Sequence, residues 1–139
     1  MRIRLAHTVA LATGIAAFAA CSGDETAPVH NTPVDARLYV QGAEVTPHIT
    51  LAAAQTVRIE VRFVDADGDE IAGIETEHYA ALTFSPASLA TVAPVTGQRF
   101  FFDVTAQGAG GATGTVSVGY GHDDLADEDT FGPFDVTIQ

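Results

Sequence analysis

The sequence predicts an all-β protein, folded as one antiparallel sandwich of about seven strands behind a cleaved N-terminal segment and a flexible linker. From Arg37 onward, apolar and polar residues alternate in short runs, which is the pattern of strands that bury one face. Clusters of Gly, Pro, Asp and Ser separate these runs. No stretch has a convincing helical period, and residues 50–55 are the only place where we expect a turn of helix.

The first 20 residues have the pattern of a secretory signal. Arg2 and Arg4 supply a positive start, and an apolar run of 13 residues follows from Thr8 to Ala20. Because a membrane-spanning helix needs about 18 apolar residues or more, this run is too short to cross a bilayer. A positive start, a short apolar run and small residues before a cut predict a signal peptide at 1–20.

Cys21, the single cysteine of the chain, follows this run directly. The segment Phe18-Ala19-Ala20-Cys21 resembles the lipobox of bacterial lipoproteins, although Phe18 stands where that family usually has Leu. The resemblance implies cleavage before Cys21, acyl chains such as palmitate on its sulfur and anchoring in a membrane. In such lipoproteins, Asp directly after the cysteine tends to retain the protein at the inner membrane. Ser22 occupies that position here, so the resemblance implies an outer-membrane lipoprotein that faces the periplasm or the exterior. The alternative is an ordinary signal peptide with a stray cysteine, and a disulfide within the chain is excluded.

The region after the cleavage site divides into a linker at 21–35 and a sandwich domain at 36–139. The linker contains two prolines and almost no bulky apolar residues. All 18 acidic residues of the protein lie in 21–139, together with four arginines and no lysine. This charge argues against binding nucleic acid or an anionic lipid surface, both of which attract basic patches. It is compatible with solubility alone, or with binding cations or basic surfaces.

The clearest predicted strand is 55–64, in which Val57, Ile59 and Val61 share one face while Arg58 and Glu60 share the other. The other predicted strands are 37–40, 78–85, 99–106, 115–120 and 134–138. The glycine-rich segment 108–114 precedes a strand and opens no helix, so we expect a turn there and no phosphate-binding loop.

Three segments of the chain carry a family resemblance: VRIEVRFVDADGDEIAG, FSPASLATVAP and VTAQGAGGATGTVSVGY. They resemble bacterial immunoglobulin-like domains of the group-two type, over residues 37–139. The resemblance implies an immunoglobulin-like sandwich with a structural, adhesive or accessory role. The antibody pattern of two cysteines around a tryptophan is absent from the sequence, so the fold must depend on its apolar core.

The segment DADGDE at 65–70 has part of the pattern of a calcium loop. Asp65, Asp67 and Asp69 have the one-three-five spacing of an EF-hand, but Glu70 stands where that loop needs glycine. We therefore expect a tight turn between strands, with Gly68 at positive φ and the aspartates in local hydrogen bonds. A calcium site remains the alternative interpretation.

Two acidic loops are expected to meet at one end of the sandwich. The strands B, C, F and G of such a sandwich would be 55–64, 78–85, 115–120 and 134–138. In that case 65–70 lies in the B–C loop, and 121–132 forms the F–G loop. Those loops cluster at the same end of immunoglobulin-like sandwiches. Dense carboxylates repel one another, so these loops are either solvated or bridged by a cation.

Two histidines sharpen this expectation. His78 is the first residue of strand C, and His122 follows strand F. Because side chains alternate between the two faces of a strand, counting along each strand places both histidines on the inward face. Together with Glu77, Asp123 or Asp124 they would suit zinc or copper, whereas carboxylates alone would suit calcium. The alternative is a pair of hydrogen-bonded surface histidines.

These observations favour a non-enzymatic lipoprotein that presents an immunoglobulin-like module at the cell envelope, where a protein partner would bind it. The alternative is a metal-binding accessory lipoprotein with zinc, copper or calcium at the converging loops. No other cofactor is expected. An enzyme is disfavoured because the sequence has no G-x-S-x-G nucleophile motif and no carboxylate pair with assignable acid and base roles.

Overall fold

The computed structural model describes residues 32–74, 76–122 and 129–139. Within these ranges the chain forms nine strands and one short 3-10 helix. The elements are β1 (Asp35–Val40), β2 (Ala43–Glu44), β3 (His48–Leu51), β4 (Thr56–Val64), β5 (His78–Ser85), the 3-10 helix (Ala87–Leu89), β6 (Ala90–Val95), β7 (Gln98–Ala106), β8 (Thr113–His122) and β9 (Asp129–Ile138). The predicted signal peptide, Cys21 and the segment 123–128 lie outside the described residues. No helix in the described part has the length and apolarity to span a bilayer.

The strands form two sheets with the layer order of an immunoglobulin-like sandwich. The first sheet has the order β2-β1-β4-β7-β6 and the second the order β3-β9-β8-β5. With β1, β4, β7 and β6 as strands A, B, E and D, and β5, β8 and β9 as C, F and G, this is the immunoglobulin topology. Strand β3 is added beside G and runs parallel to it. The predicted fold class, an immunoglobulin-like antiparallel sandwich, is confirmed.

The core lies between the two sheets and consists of the alternating apolar residues of both inner faces. The described residues include no buried polar or charged side chain. The largest fully buried side chains are Phe63, Leu38, Ile49, Leu51, Ile59, Ile138, Val104, Val116, Val118 and Val136. Because the only cysteine is Cys21, the fold depends on burial of this hydrocarbon surface, which is the dominant favourable contribution to folding.

The predicted strands are present, and several of them are longer than the sequence pattern indicated. The range 78–85 is confirmed as β5, and 55–64 differs from β4 by one residue. The strand predicted at 115–120 extends to 113–122 in β8, and the one at 134–138 extends back to Asp129 in β9. In the added part of β9, Gly132 and Pro133 lie at a shift in the register with β8, where Gly132 has a φ of +94°, while the added Gly121 and His122 of β8 pair with β5.

Two sequence expectations about the local structure were incomplete. The turn of helix expected at 50–55 is wrong for its first two residues, because Thr50 and Leu51 end β3 and pair with β9. A turn follows, closed by a hydrogen bond from the Gln55 amide to the Ala52 carbonyl at 3.1 Å. The strands β2, β3 and β6 were not predicted, because each is short: β3 alternates over four residues alone, and β6 has no clear alternation.

The edges of the two sheets are unequal. β2 has two residues, β3 has four, and β6 carries Pro94 at a shift in register. Short, irregular or proline-containing edges resist pairing with other chains. β5 is an edge strand of eight residues with no proline and no Asp, Glu, Lys or Arg. It is therefore the longest regular edge that the described structure leaves open to an added strand.

Substitution of Gly114 tests a close backbone approach that the sequence does not reveal. An added Cβ would overlap the Ser85 carbonyl oxygen and lie 2.9 Å from Leu89 Cδ2. Because backbone cannot yield as a flexible side chain does, Gly114→Ala should destabilise the fold by about 1–3 kcal/mol in urea unfolding. Gly110→Ala is the matched control, since its nearest atom would lie 3.7 Å away. Equal stability of the two variants would contradict the close approach.

Candidate functional site

One end of the sandwich holds the candidate residues that the structure describes. At this end β4 finishes, β5 begins and β1 enters the fold, with Asp35 opposite Val64 in the pairing of β1 and β4. Arg37 Nη2 donates a hydrogen bond to the Gly68 carbonyl at 3.2 Å. The turn at 65–70 therefore lies against the start of β1, so the chain enters the domain at the end that carries the B–C loop.

The segment 65–70 is a tight turn closed by its own backbone and by Asp65. Asp65 Oδ1 accepts hydrogen bonds from the amides of Asp67 and Asp69, both at 3.0 Å. The amides of Asp65 and Gly68 complete the turn by donating to the carbonyls of Asp69 and Asp65, and Gly68 has a φ of +87°. The expected turn is confirmed. Its first carboxylate organises the backbone, which leaves Asp67 and Asp69 as exposed side chains.

The structure brings His78 and His122 together as direct partners on β5 and β8. Their ring centroids are 5.0 Å apart and the ring planes are nearly perpendicular, at 89°. His78 also stacks on Tyr120, with centroids 5.0 Å apart and planes 12° from parallel. The expected sharing of one sheet and one face is confirmed. Of the other predicted ligands, Glu77 contacts His122, while Asp123 and Asp124 lie outside the described residues.

Further contacts fix the polar surroundings of this pair. His122 Nε2 lies 2.9 Å from Glu77 Oε2, so the carboxylate accepts a hydrogen bond from that ring nitrogen. Arg99 Nη1 donates to the His78 carbonyl at 2.9 Å. Because Arg99 belongs to β7 of the other sheet, this hydrogen bond links the two sheets at this end. His78 and His122 lie directly opposite each other in the antiparallel ladder, where the side chains of opposite residues are close neighbours.

The His78 ring contains an exception to the otherwise satisfied polar groups. Its Nδ1 is buried and has no hydrogen-bond partner. A buried polar atom without a partner costs about 1–3 kcal/mol, so such an atom calls for an explanation. Within the described ranges, no three or more His, Cys, Asp or Glu side chains are grouped so as to hold a metal ion. The described residues thus supply two imidazoles and one hydrogen-bonding carboxylate at this end.

The outer face of the first sheet carries a charged cluster that the sequence analysis missed as a unit. Arg62 binds Glu60 through two hydrogen bonds, at 2.8 and 3.0 Å, and Glu70 through a third at 3.0 Å. The Tyr39 hydroxyl donates to Glu70 at 2.6 Å, and the Arg62 guanidinium lies 4.1 Å from the Tyr39 ring centroid. The alternation of the sequence places Glu60 and Arg62 on the outward face of their strand. It does not show that Glu70, in the B–C loop, contacts Arg62.

This cluster shifts the ionisation of its members in directions that follow from their contacts. The hydrogen bond from Tyr39, aided by Arg62, lowers the pKa of Glu70 below its ordinary value. The same hydrogen bond raises the pKa of Tyr39, with desolvation as a smaller cause. A second ion pair on this face, Arg58 with Asp103, has a similar effect. The two hydrogen bonds from Arg58 lower the pKa of Asp103 below its ordinary value.

A small cleft opens beside this cluster, where β7 separates from the end of β4. Its volume is about 210 Å³ and its lining is mostly apolar. The apolar lining residues include Phe63, Ile71, Ile74, Phe100 and Phe101. Phe101, which the sequence placed on the outward face, is half-buried here. The cleft has the size of one side chain, and its polar rim is already engaged in the ion pairs of the cluster.

Comparison with known proteins adds little beyond the fold. No family model matches the chain, and no curated protein sequence matches it. Among solved structures it is similar to the filamin domain of Lin-41, with 12% sequence identity and a TM-score of 0.36, over 73% of this chain and 91% of that one. The class of the domain, an immunoglobulin-like sandwich, is therefore defined by its own strand order.

Acid should remove the contribution of the Tyr39, Arg62 and Glu70 cluster to stability. Because the pKa of Glu70 is lower in the folded state than its ordinary 4.5, its stabilising effect is present above that pH and is lost as pH falls through the folded value. We expect Glu70→Gln to unfold at lower urea concentration than the wild type at pH 7. The difference should shrink towards pH 3.

The control for this experiment is Glu44→Gln, which removes the same charge from a carboxylate that accepts a hydrogen bond from the hydroxyl of Thr46. We expect this variant to follow the wild-type curve across the pH range. A difference between Glu70→Gln and the wild type that stays constant from pH 7 to pH 3 would contradict the assigned role of the ionised carboxylate.

Proposed function

We propose that this protein is a lipid-anchored component of a bacterial cell envelope, whose immunoglobulin-like module is non-enzymatic and presents a binding or structural surface. The observation that carries the anchor is the change from the apolar run to Cys21, with small residues before the cysteine and polar residues after it. Two or three acyl chains on Cys21 would hold the protein stably, whereas one chain binds a membrane weakly.

The position where the chain enters the sandwich supports a tethered arrangement. β1 begins at Asp35, so about 13 residues connect it to Cys21, and a fully extended linker of that length reaches about 40 Å. The start of β1 lies beside the turn at 65–70. A chain held at Cys21 would therefore turn the end that carries the B–C loop towards the membrane.

The distribution of polar groups supports a role in presenting a surface. The interior of the described sandwich is hydrocarbon, and the ion pairs of Arg58 and Arg62 lie on the outer face of the first sheet. β5 is an edge strand of eight residues in which Arg99 engages the His78 carbonyl, and an extended segment of a partner adds to such an edge through main-chain hydrogen bonds. A protein of the envelope that contributes an extended strand is the kind of partner that this edge fits.

Replacement of Cys21 tests the anchor. Wild-type protein should incorporate radiolabelled palmitate and sediment with outer membranes after a high-salt wash, because acyl chains do not respond to salt. Cys21→Ala, expressed behind a cleavable non-lipoprotein signal peptide, should be unlabelled and recovered in the soluble envelope fraction. Because this replacement signal peptide is cleaved off, the sandwich domain of the variant keeps the wild-type sequence.

Ser22→Asp is the matched control, since it keeps the cysteine and alters only the residue after it. This variant should stay labelled by palmitate and move towards the inner-membrane fraction. Membrane association of the Cys21→Ala protein after the salt wash, or absence of label from the wild type, would refute the lipid anchor.

A further inference from the structure

We infer that His78 and His122 form a binding site for a divalent transition-metal ion, zinc or copper, at the end of the sandwich. This inference is independent of the lipid anchor, because it concerns only residues of the folded module. The two residues are directly opposite each other on β5 and β8, so their side chains are close neighbours on one face of the sheet.

The spacing of the two rings fits shared coordination of one ion. Zinc binds imidazole nitrogens at about 2.0–2.1 Å, so two such nitrogens around a tetrahedral ion lie about 3.3 Å apart. The ring centroids of His78 and His122 lie 5.0 Å apart, a separation compatible with two imidazoles bound to one ion. Perpendicular ring planes are compatible with this geometry, since the two ligands approach a tetrahedral ion from different directions.

The state of the ring nitrogens points to a missing partner. His78 Nδ1 is buried and has no hydrogen-bond partner, whereas a coordinated ion would satisfy its lone pair. The Glu77 carboxylate accepts from His122 Nε2, which places the proton of a neutral ring on that nitrogen and the lone pair on Nδ1. A carboxylate behind a ligating histidine is the usual outer partner of such ligands, because it fixes the tautomer and raises the basicity of the ring.

The donor chemistry selects the class of metal. Imidazole ligands suit zinc and copper, whereas calcium takes six to eight oxygen ligands. In the described part of the chain no third ligating side chain joins the pair in a group that holds a metal. Copper should bind more tightly than zinc, in line with the general order of affinities for divalent ions.

The site is tied to the core of the domain. His78 stacks on Tyr120, whose ring centroid lies 4.7 Å from that of Phe63. The ring plane of His78 is thereby held by packing before any ion binds, which reduces the ordering that an ion must impose. Glu77 acts through the other ligand, so it is a positioning residue.

The test is thermal unfolding of residues 22–139, which contain the whole sandwich and its core, in the presence of zinc, copper, calcium or magnesium chloride. A ligand that binds only the folded state raises the melting temperature. We expect zinc and copper to raise it by several degrees and calcium and magnesium to leave it unchanged. The stoichiometry by calorimetric titration should be one ion per chain.

The variants assign the effect to the proposed ligands. His78→Phe keeps a flat ring against Tyr120 and removes both ring nitrogens, so it should fold and lose the shift. His122→Ala should lose the shift as well. Glu77→Gln should bind zinc roughly tenfold more weakly while remaining folded, as substitution of an outer partner usually does.

His48→Ala is the matched control, because His48 is an exposed histidine paired with Asp135 at 3.2 Å on β3 and β9, without a second histidine at its side. This variant should keep the full shift. Cobalt gives a second measurement, since its visible absorption reports nitrogen ligation directly. That absorption should be present in the wild type and absent from His78→Phe.

Three results would each overturn the site. The first is no shift with either zinc or copper. The second is a shift that persists in both His78→Phe and His122→Ala, which would place the ion elsewhere. The third is a calcium shift as large as that of zinc, which would assign binding to carboxylates.

Discussion

The contact between the rings of Phe63 and Tyr120 connects the two sheets at the end where the chain enters the domain. Phe63, on β4, is 1% exposed, and its ring lies 4.7 Å from Tyr120 on β8. Phe100 on β7 and Phe131 on β9 pack on the same ring at 5.9 and 5.8 Å. Each such pair contributes about 0.5–1.5 kcal/mol beyond the burial of its surface. With no disulfide available, this four-strand contact and the aliphatic core behind it hold the layers together.

The candidate metal site depends on that contact. His78 stacks on the Tyr120 ring, and His122 stands opposite His78 on the neighbouring strand, so the positions of both imidazoles follow from how the sheets are packed. Electrostatic interactions play a different part on the outer face of the first sheet. There the arginines are joined to carboxylates, as in Arg58 with Asp103, and these exposed pairs contribute modestly to stability. The packing of the core thus sets the positions of the two histidines, while the ion pairs lie on the solvent-facing side of the first sheet.

Much of the fold could be predicted from the sequence because alternation is a local property. The pattern of Val57, Ile59 and Val61 determines which side chains point inward whatever the strand pairs with. The same counting placed His78 and His122 on an inward face, and the immunoglobulin strand order then placed them on neighbouring strands. The strand β3 could not be predicted in this way, because its four residues become a strand only by pairing with β9.

The sequence by itself determined the alternating faces of the strands, the tight turn at Gly68 and the change from apolar to polar residues at Cys21. Each of these features depends on residues that are close together in the chain. Only the tertiary structure decided that Glu70 returns to Tyr39 and Arg62, that Gly114 faces the Ser85 carbonyl, and that His78 Nδ1 is buried without a partner. The physical reason is that these features arise where segments far apart in sequence pack together. Their geometry is set by the shape and register of both sheets, which no single segment specifies.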